Sequence, residues 1–155
     1  MKQKKVQASF QLQDSYVREF NIKTIKKINE QSNLTITGEL GFKIISITEG
    51  KDNFIGEIEL VNDIKTVYKE EECTNIHISM IGIFAKNKEN EEENDIKAFE
   101  QMLKINGATT LSHLIRAYIY TITGLSGTSQ ISTPMINFVE FFKNAEKNTE
   151  DNYKN

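Results

Sequence analysis

The residues of this chain best suited to chemistry are one cysteine and two histidines, Cys73, His77 and His113. Cys73 and His77 straddle the expected start of a strand, where their spacing does not bring the two side chains together. A zinc site needs about four ligands, and the chain has no second cysteine to supply one. A lone cysteine is more often a small buried apolar residue than a nucleophile. These residues therefore favour neither a metal site nor a Cys–His catalytic pair.

Other motifs of catalysis are incomplete. Residues 124–128 read GLSGT, which is close to a nucleophile elbow but lacks the final glycine and follows no predicted strand. The sequence contains no phosphate-binding loop and no dinucleotide fingerprint. Its carboxylates are concentrated in expected surface loops, where pKa shifts are small. We therefore predict a protein that is not an enzyme and that uses no cofactor or metal.

The composition fits one folded domain of 155 residues. Hydrophobic residues make up 38% and charged residues 26%, which is typical of a globular protein. The net charge of -3 gives no reason to expect nucleic acid. No apolar run reaches the roughly 18 residues of a membrane span, and no signal-peptide apolar region is present. We predict a single domain over 1–147, a polar tail over 148–155, a cytoplasmic location and no membrane insertion.

Two helices are predicted in the C-terminal half of the chain. Apolar residues recur at intervals of three and four over 108–123, which indicates one helix. Gly124 and Gly127 are expected to end it, because glycine tolerates the left-handed backbone found there. Asn137 is a suitable N-cap for the second helix. Residues 125–136, called the crossover below, connect the two helices.

Four strands are predicted before the helices, at residues 7–22, 34–48, 54–62 and 75–85. Tyr16 is expected on the apolar side of the first strand. The alternation of the second strand changes phase at Ile45, which predicts either a β-bulge or a strand that buries both of its faces. Residues 65–74 are predicted as a polar connection, and the charged run 86–95 as a solvated loop in which Asp95 caps a short helix. Successive strands with short links favour an antiparallel sheet, so the predicted fold class is α+β.

Several short motifs occur in a recognisable order over about half of the chain. Residues 106–111 (NGATTL) and 115–116 (IR) lie in the first long helix, and residues 134–138 (PMINF) lead into the second. Residues 82–84 (GIF) end the last predicted strand, and residues 10–13 (FQLQ) lie in the first. Together these motifs resemble those of the SecB family, the chaperones that hold secretory proteins unfolded for export.

The resemblance implies a four-stranded antiparallel sheet covered on one face by the two longer C-terminal helices. It also implies a homotetramer, a dimer of dimers, in which pairs join their sheets and two pairs stack through the first long helix. The implied function is that of an ATP-independent holdase, which binds unfolded preproteins and keeps them competent for export. SecB-like proteins also occur beside toxin–antitoxin pairs, so a dedicated client such as an antitoxin is the alternative.

A holdase needs exposed apolar surface that adapts to many sequences. The crossover spaces apolar residues among small polar ones, and it must pass over the sheet between two helices. We therefore predict a client groove beneath the crossover with apolar strand residues at its base, where the resemblance places the grooves of the family. An ordinary core under a loop is the alternative interpretation. The predicted client-binding residues are Phe20, Phe42, Ile44, Leu125, Ile131 and Met135.

The first long helix carries three residues suited to contacts between subunits. Tyr118 and Tyr120 point to different faces of this helix, so both cannot lie in the same core, and tyrosine is enriched at interfaces. Arg116 can extend from the apolar stripe and pair with a carboxylate at a subunit contact. Contact between Arg116 and the backbone of a client is the alternative.

In SecB, acidic residues on the exposed face of the sheet dock the motor protein SecA. Counting back from Gly82, the acidic position of the last strand is occupied here by His77. Asp14 and Glu19 can supply negative charge from the first strand, so Asp14, Glu19 and His77 are the candidate docking residues and SecA is a candidate partner. Two other classes stay open, namely a small-molecule binding protein with a cavity between helix and sheet, and a structural scaffold.

Overall fold

The computed structural model describes residues 9–28, 33–88 and 95–152. The described strands are β1 (Phe10–Thr24), β2 (Thr35–Glu49), β3 (Asn53–Tyr68) and β4 (Glu71–Asn87). They form one antiparallel sheet in the order β1-β4-β3-β2, so β1 and β2 are its edges. The described helices are α1 (Ile96–Met102), α2 (Ala108–Leu125) and α3 (Phe138–Asn152), with a π-helical turn (Leu103–Gly107) between α1 and α2. The predicted α+β class is confirmed.

Two β-bulges in β1 change which of its residues face the helices. Register shifts fall between Leu12 and Asp14 and between Val17 and Glu19. Each extra residue turns the side chains that follow to the other face. Val17 therefore packs against the core, while Tyr16 lies 48% exposed on the opposite face. The expectation that Tyr16 lies on the apolar side is wrong, because simple alternation does not reveal these bulges.

The bulge predicted in β2 is confirmed. The register against β3 shifts between Ile44 and Ser46, so Ile45 is the extra residue. Ile44 and Ile47 both pack against the core, whereas Ile45 is exposed. A bulge lets β2 keep apolar residues on the helix side along its whole length.

Strands β3 and β4 are longer than predicted and meet in a tight hairpin. The polar connection expected over 65–74 is wrong, because Lys69 and Glu70 alone separate the two strands. Both turn residues have positive φ, 49° and 67°, as in a two-residue type I′ turn. The sequence hides the hairpin because its turn lacks the usual asparagine or glycine. The polar residue Thr66 is also buried in the core.

The core lies between the two central strands and the helices. Glycines allow a close approach: a Cβ at Gly56 of β3 would lie 2.5 Å from Cδ1 of Leu103, and one at Gly82 of β4 would lie 2.7 Å from Cδ2 of Leu111. The helical segment therefore lies directly over β3 and β4. The largest fully buried apolar residues are Phe54, Phe84, Phe99, Ile58, Leu60, Ile78, Leu103, Leu111, Ile115 and Ile119.

The helix caps agree with the prediction. Asp95 Oδ1 accepts a hydrogen bond from the Lys97 N–H at 2.9 Å at the start of α1. Asn137 Oδ1 accepts one from the Glu140 N–H at 3.3 Å at the start of α3. Such caps satisfy backbone donors that the first turn of a helix leaves unpaired.

Some element boundaries differ from the predicted ones. Lys86 and Asn87, at the start of the charged run, belong to β4, while residues 89–94 of that run lie outside the described residues. Helix α3 continues to Asn152, beyond the predicted domain end at residue 147. No helix in the described parts of the chain is long and apolar enough to span a membrane.

Candidate functional site

The helices cover the inner face of the sheet incompletely. A helix with its side chains is about 10–12 Å wide, and strands lie about 4.8 Å apart, so one helix covers about two strands. The apolar inner-face residues of β3 and β4 are accordingly buried, whereas those of the edge strands pack against the core but stay partly exposed. We call these residues the β1 flank (Phe10, Leu12, Val17, Phe20 and Ile22) and the β2 flank (Ile36, Leu40, Phe42, Ile44 and Ile47).

An aromatic contact partly covers each flank. On the β1 flank, the ring of Phe20 packs edge-on against Tyr118 of α2, with centroids 5.3 Å apart and planes at 78°. On the β2 flank, Phe42 packs edge-on against Phe142 of α3, with centroids 5.0 Å apart and planes at 80°. Local residue spacing does not reveal this contact between the second long helix and β2, because it joins elements far apart in the sequence.

Phe20 does not lie beside Phe42 and Ile44, contrary to the expectation of one shared groove base. The strand order places β1 and β2 at opposite edges of the sheet, with β4 and β3 between them. At normal strand spacing this separation is roughly 14 Å. The predicted client-binding residues therefore divide, with Phe42 and Ile44 on the β2 flank and Phe20 on the β1 flank. Strand order is a tertiary property that alternation along the chain does not reveal.

Hydrogen bonds from side chains attach the crossover to the rest of the domain. Thr123 Oγ1 of α2 accepts a hydrogen bond from the Ile131 N–H at 3.0 Å. Ser129 Oγ donates to the Ile28 carbonyl at 2.8 Å, which joins the crossover to the segment after β1. The crossover is thus fixed at two separate points along its length.

The three predicted client-binding residues of the crossover differ in exposure. Ile131 is only 3% exposed and belongs to the core, because its backbone is hydrogen-bonded to α2. Its side chain is therefore not presented to a client, and this corrects its expected place in the groove. Leu125 and Met135, by contrast, are 79% and 70% exposed. They present large apolar side chains that no described residue covers.

A cavity of about 130 Å³ lies between the β2 flank and the crossover. The inner-face polar residue Asn62 and the crossover residue Thr133 line it. The sequence analysis did not single out either residue. The available signal was Asn62 itself, a polar residue two positions after Leu60 in a strand of otherwise apolar inner residues. The apolar residues that line the cavity are Ile36, Leu40, Ile64, Pro134 and Ile136.

The three predicted interface residues, Arg116, Tyr118 and Tyr120, all lie on α2. Tyr120 is largely exposed on the outer side of the helix, while Tyr118 packs on the β1 flank, so the two residues do point to different faces. The Arg116 Nε–H donates to the Thr133 carbonyl at 2.8 Å, so the arginine has a partner in the crossover of its own chain. Contact of these three residues with another subunit stays a prediction.

The outer face of the sheet carries the three candidate docking residues. The imidazole of His77 lies between two carboxylates: Nδ1 is 2.6 Å from Asp63 Oδ1, and Nε2 is 3.8 Å from Glu19 Oε2. Asp14 lies further along β1, where it pairs with Ile83. The structure therefore brings Glu19 and His77 together, apart from Asp14. It also adds Asp63, which the sequence analysis missed because cross-strand neighbours depend on the register.

Ion pairs beside the β3–β4 hairpin shift three pKa values. A hydrogen bond and ion pair with Lys26 lowers the pKa of the Glu71 carboxyl and raises the pKa of the Lys26 ammonium. Hydrogen bonding from Lys65 lowers the pKa of the Glu72 carboxyl. Exposed pairs of this kind contribute little to stability. None of these residues belongs to either flank.

The fold is similar to that of a solved SecB-like chaperone. The chaperone Rv1957 of Mycobacterium tuberculosis, solved in complex with a ChAD peptide from the Rv1956 HigA1 antitoxin, matches with a TM-score of 0.58 and 13% identity, over 83% of this chain and 91% of that chain. A protein of unknown function from Streptococcus agalactiae matches with a TM-score of 0.37 and 12% identity, over 81% and 96%. No protein-family model and no curated protein matches the sequence. The first likeness shows a SecB-like fold, as the sequence motifs imply.

Proposed function

We propose that this protein is an ATP-independent chaperone that holds unfolded polypeptides on its β1 and β2 flanks. The observation that carries the proposal is the incomplete cover of the inner face, which leaves apolar residues partly exposed along both edge strands. Contiguous apolar surface on a soluble protein usually marks a binding site. Leu125 and Met135 add two further exposed apolar side chains, at the end of α2 and on the crossover. Adaptable apolar surface suits a binder of many sequences.

The edge strands offer partners for the backbone of a client. Within the described residues, β1 pairs only with β4 and β2 only with β3. Each edge strand therefore has a row of backbone N–H and C=O groups without a strand partner. An extended polypeptide can pair with such an edge whatever its sequence. Its apolar side chains would then contact the adjacent flank.

The SecB-like fold supports two kinds of client. The antitoxin peptide bound to the Rv1957 chaperone favours a dedicated client, such as an antitoxin, for this protein as well. Unfolded preproteins that await export are the second candidate, with SecA docking on the outer face. That face places His77 between Glu19 and Asp63, so part of its negative charge is engaged within the sheet, and we favour the dedicated client. Either role places the protein in the cytoplasm.

Suppression of aggregation tests the proposed function. We expect light scattering from a thermally unfolded model client to fall at roughly a fourfold excess of subunits, or about one tetramer per client. The effect should be the same with and without ATP, because apolar contacts and edge pairing need no nucleotide. Failure to suppress aggregation at this excess, or suppression that requires ATP, contradicts the proposal.

Matched variants locate the activity on the surface. Leu125→Ser and Met135→Ser change apolar side chains that are 79% and 70% exposed, so both variants should stay folded. An apolar side chain buried by a client is worth about 1.5–3 kcal/mol, so each change should weaken client binding by about ten- to a hundredfold. Lys43→Ser on the outer face of β2 is the control and should bind clients normally. Unchanged affinity in both apolar variants would remove the crossover from the site.

A further inference from the structure

The cavity beside β2 has room for a single side chain. Its volume is about 130 Å³, and it opens beside the edge strand. For comparison, an apolar cavity of about 150 Å³ holds a benzene molecule. Gly38 keeps the cavity open, since a Cβ there would lie 3.1 Å from the Asp63 carbonyl oxygen and 3.6 Å from Asn62 Oδ1. The cavity is therefore close to the size of a six-membered ring, and it is open on one side.

Two buried polar side chains interrupt the apolar walls. Asn62 is 9% exposed and lies on the inner face of β3, between the core residues Leu60 and Ile64. Thr133 is 4% exposed, and its Oγ1 has no hydrogen-bond partner within the described residues. Buried polar groups are nearly always paired, so an unpaired one indicates a missing partner. Both residues line the same cavity.

We propose that this cavity is a recognition subsite for one client side chain that has an apolar body and a hydrogen-bonding tip, such as the phenol of tyrosine. The apolar walls contact the body of that side chain. Asn62 offers its tip both a donor and an acceptor, and Thr133 offers a hydroxyl at the crossover wall. The inference rests on the proposed function and deepens it, because the flanks accept apolar residues generally while the cavity fixes the register of the client.

Two peptides that differ by one hydroxyl test the subsite. Both consist of alternating serine and valine, with tyrosine or phenylalanine at the central position, and both are titrated by fluorescence anisotropy. We expect the full chain to bind the tyrosine peptide about three- to tenfold more tightly, as expected for one neutral hydrogen bond. The preference should disappear in Asn62→Leu. In Thr133→Val, which keeps the shape of the wall, it should decrease.

Controls separate recognition from folding. Asn21→Leu, an exposed residue on the outer face of β1, should keep the preference for tyrosine. Thermal melts identify any variant that does not fold. If Asn62→Leu does not fold, the tyrosine preference of Thr133→Val alone tests the subsite. Equal binding of both peptides by the wild type, or a preference that survives in both cavity variants, overturns the subsite and leaves the chaperone intact. If neither peptide binds, the subsite and the proposed function are both overturned.

Discussion

Two buried threonines near the crossover differ in their hydrogen bonding. Thr123 Oγ1 donates to the Ile119 carbonyl at 2.7 Å and accepts from the Ile131 N–H at 3.0 Å, so both of its hydrogen-bonding functions are used. Thr133 Oγ1 has no partner within the described residues. The same residue type therefore stabilises the crossover at one position and leaves a buried oxygen unpaired at the other.

Substitution of each threonine by valine should change stability in opposite directions. Thr123→Val leaves the buried Ile131 N–H unpaired, and we expect it to lower the free energy of unfolding by about 1–3 kcal/mol. Thr133→Val removes an unpaired oxygen and should leave this free energy unchanged or raise it by about 1 kcal/mol. Urea unfolding followed by circular dichroism measures both. A loss of stability in Thr133→Val as large as that in Thr123→Val would show that Thr133 has a partner.

The exposure of the crossover residues was predictable only in part. The sequence presents Leu125, Ile131 and Met135 alike, as apolar residues spaced among small polar ones. Leu125 and Met135 are exposed as a surface site requires, but Ile131 is buried. The difference arises because the Ile131 N–H donates a hydrogen bond to Thr123 Oγ1, which holds the backbone of Ile131 against α2. A contact between residues on different elements is not encoded in local spacing.

At the scale of elements, glycine determines how closely the helical segment approaches the sheet. Gly56→Ala would place a Cβ 2.5 Å from Cδ1 of Leu103, a fully buried residue of the π-helical turn. Overpacking of this kind costs about 1–3 kcal/mol, and urea unfolding should show a loss of that size. Gly41→Ala in β2 is the control, because its Cβ would lie 3.5 Å from Val61 Cβ, an ordinary contact. Equal stability of both variants would show that the turn can shift.

The β3–β4 hairpin predicts a direction for the pH dependence of stability. The pKa values of Glu71 and Glu72 are lowered in the fold by Lys26 and Lys65. A carboxyl group with a lowered folded-state pKa contributes stability above its unfolded value of about 4.3. That contribution is lost as the pH falls through the lower folded-state value. Because the groups are exposed, the effect should be small and weaker in high salt.

A comparison of two variants isolates this contribution. Urea unfolding between pH 7 and pH 3 should show a smaller loss of stability in Glu71→Gln/Glu72→Gln than in the wild type, since glutamine does not titrate. Glu39→Gln in β2, which has no ion pair among the described salt bridges, is the matched control. An identical pH dependence in the double variant and the wild type would exclude the two carboxyl groups as its source.

The spacing of apolar residues predicted the presence of helices and strands better than the residues at which they begin and end. The amphipathic helix over 108–123 and the bulge at Ile45 both follow from residue spacing, and the structure contains them. The β3–β4 hairpin and the two bulges of β1 do not follow from it. A type I′ turn formed by Lys69 and Glu70 carries no composition signal, and its geometry is imposed by the pairing of the strands on either side. Turn geometry was here a consequence of tertiary structure.

At the scale of the whole molecule, strand order determines where the apolar flanks lie. Strands β1 and β2 come first along the chain but lie at opposite edges of the sheet, with β4 and β3 between them. Helices α1 and α2 cover the two central strands, β3 and β4, so each edge strand keeps an apolar flank. The order β1-β4-β3-β2 does not follow from the sequence, since many orders are compatible with four amphipathic strands. One domain thereby obtains two apolar flanks at opposite edges of the sheet, rather than the apolar base of a single groove that the sequence suggested.

The outer face of α2 predicts the assembly state. Leu114 and Tyr120 lie exposed on the side of this helix away from the sheet, and an exposed apolar helix face is usually covered by another subunit. If the chain forms the dimer of dimers that the resemblance to SecB implies, static light scattering at micromolar concentration should give four times the 17.8 kDa mass of the chain. Tyr120→Glu places a charge on that face and should yield a smaller assembly, because a buried unpaired charge opposes association.

Lys97→Glu, which introduces the same charge on the exposed surface of α1, is the control and should leave the mass unchanged. A wild-type mass of 17.8 kDa would contradict the tetramer. A tetramer that persists in Tyr120→Glu would instead exclude this helix face as the contact between the two pairs. The joining of sheets within each pair, which the resemblance to SecB also implies, does not involve Tyr120. An assembly of two subunits in Tyr120→Glu is therefore the expected result.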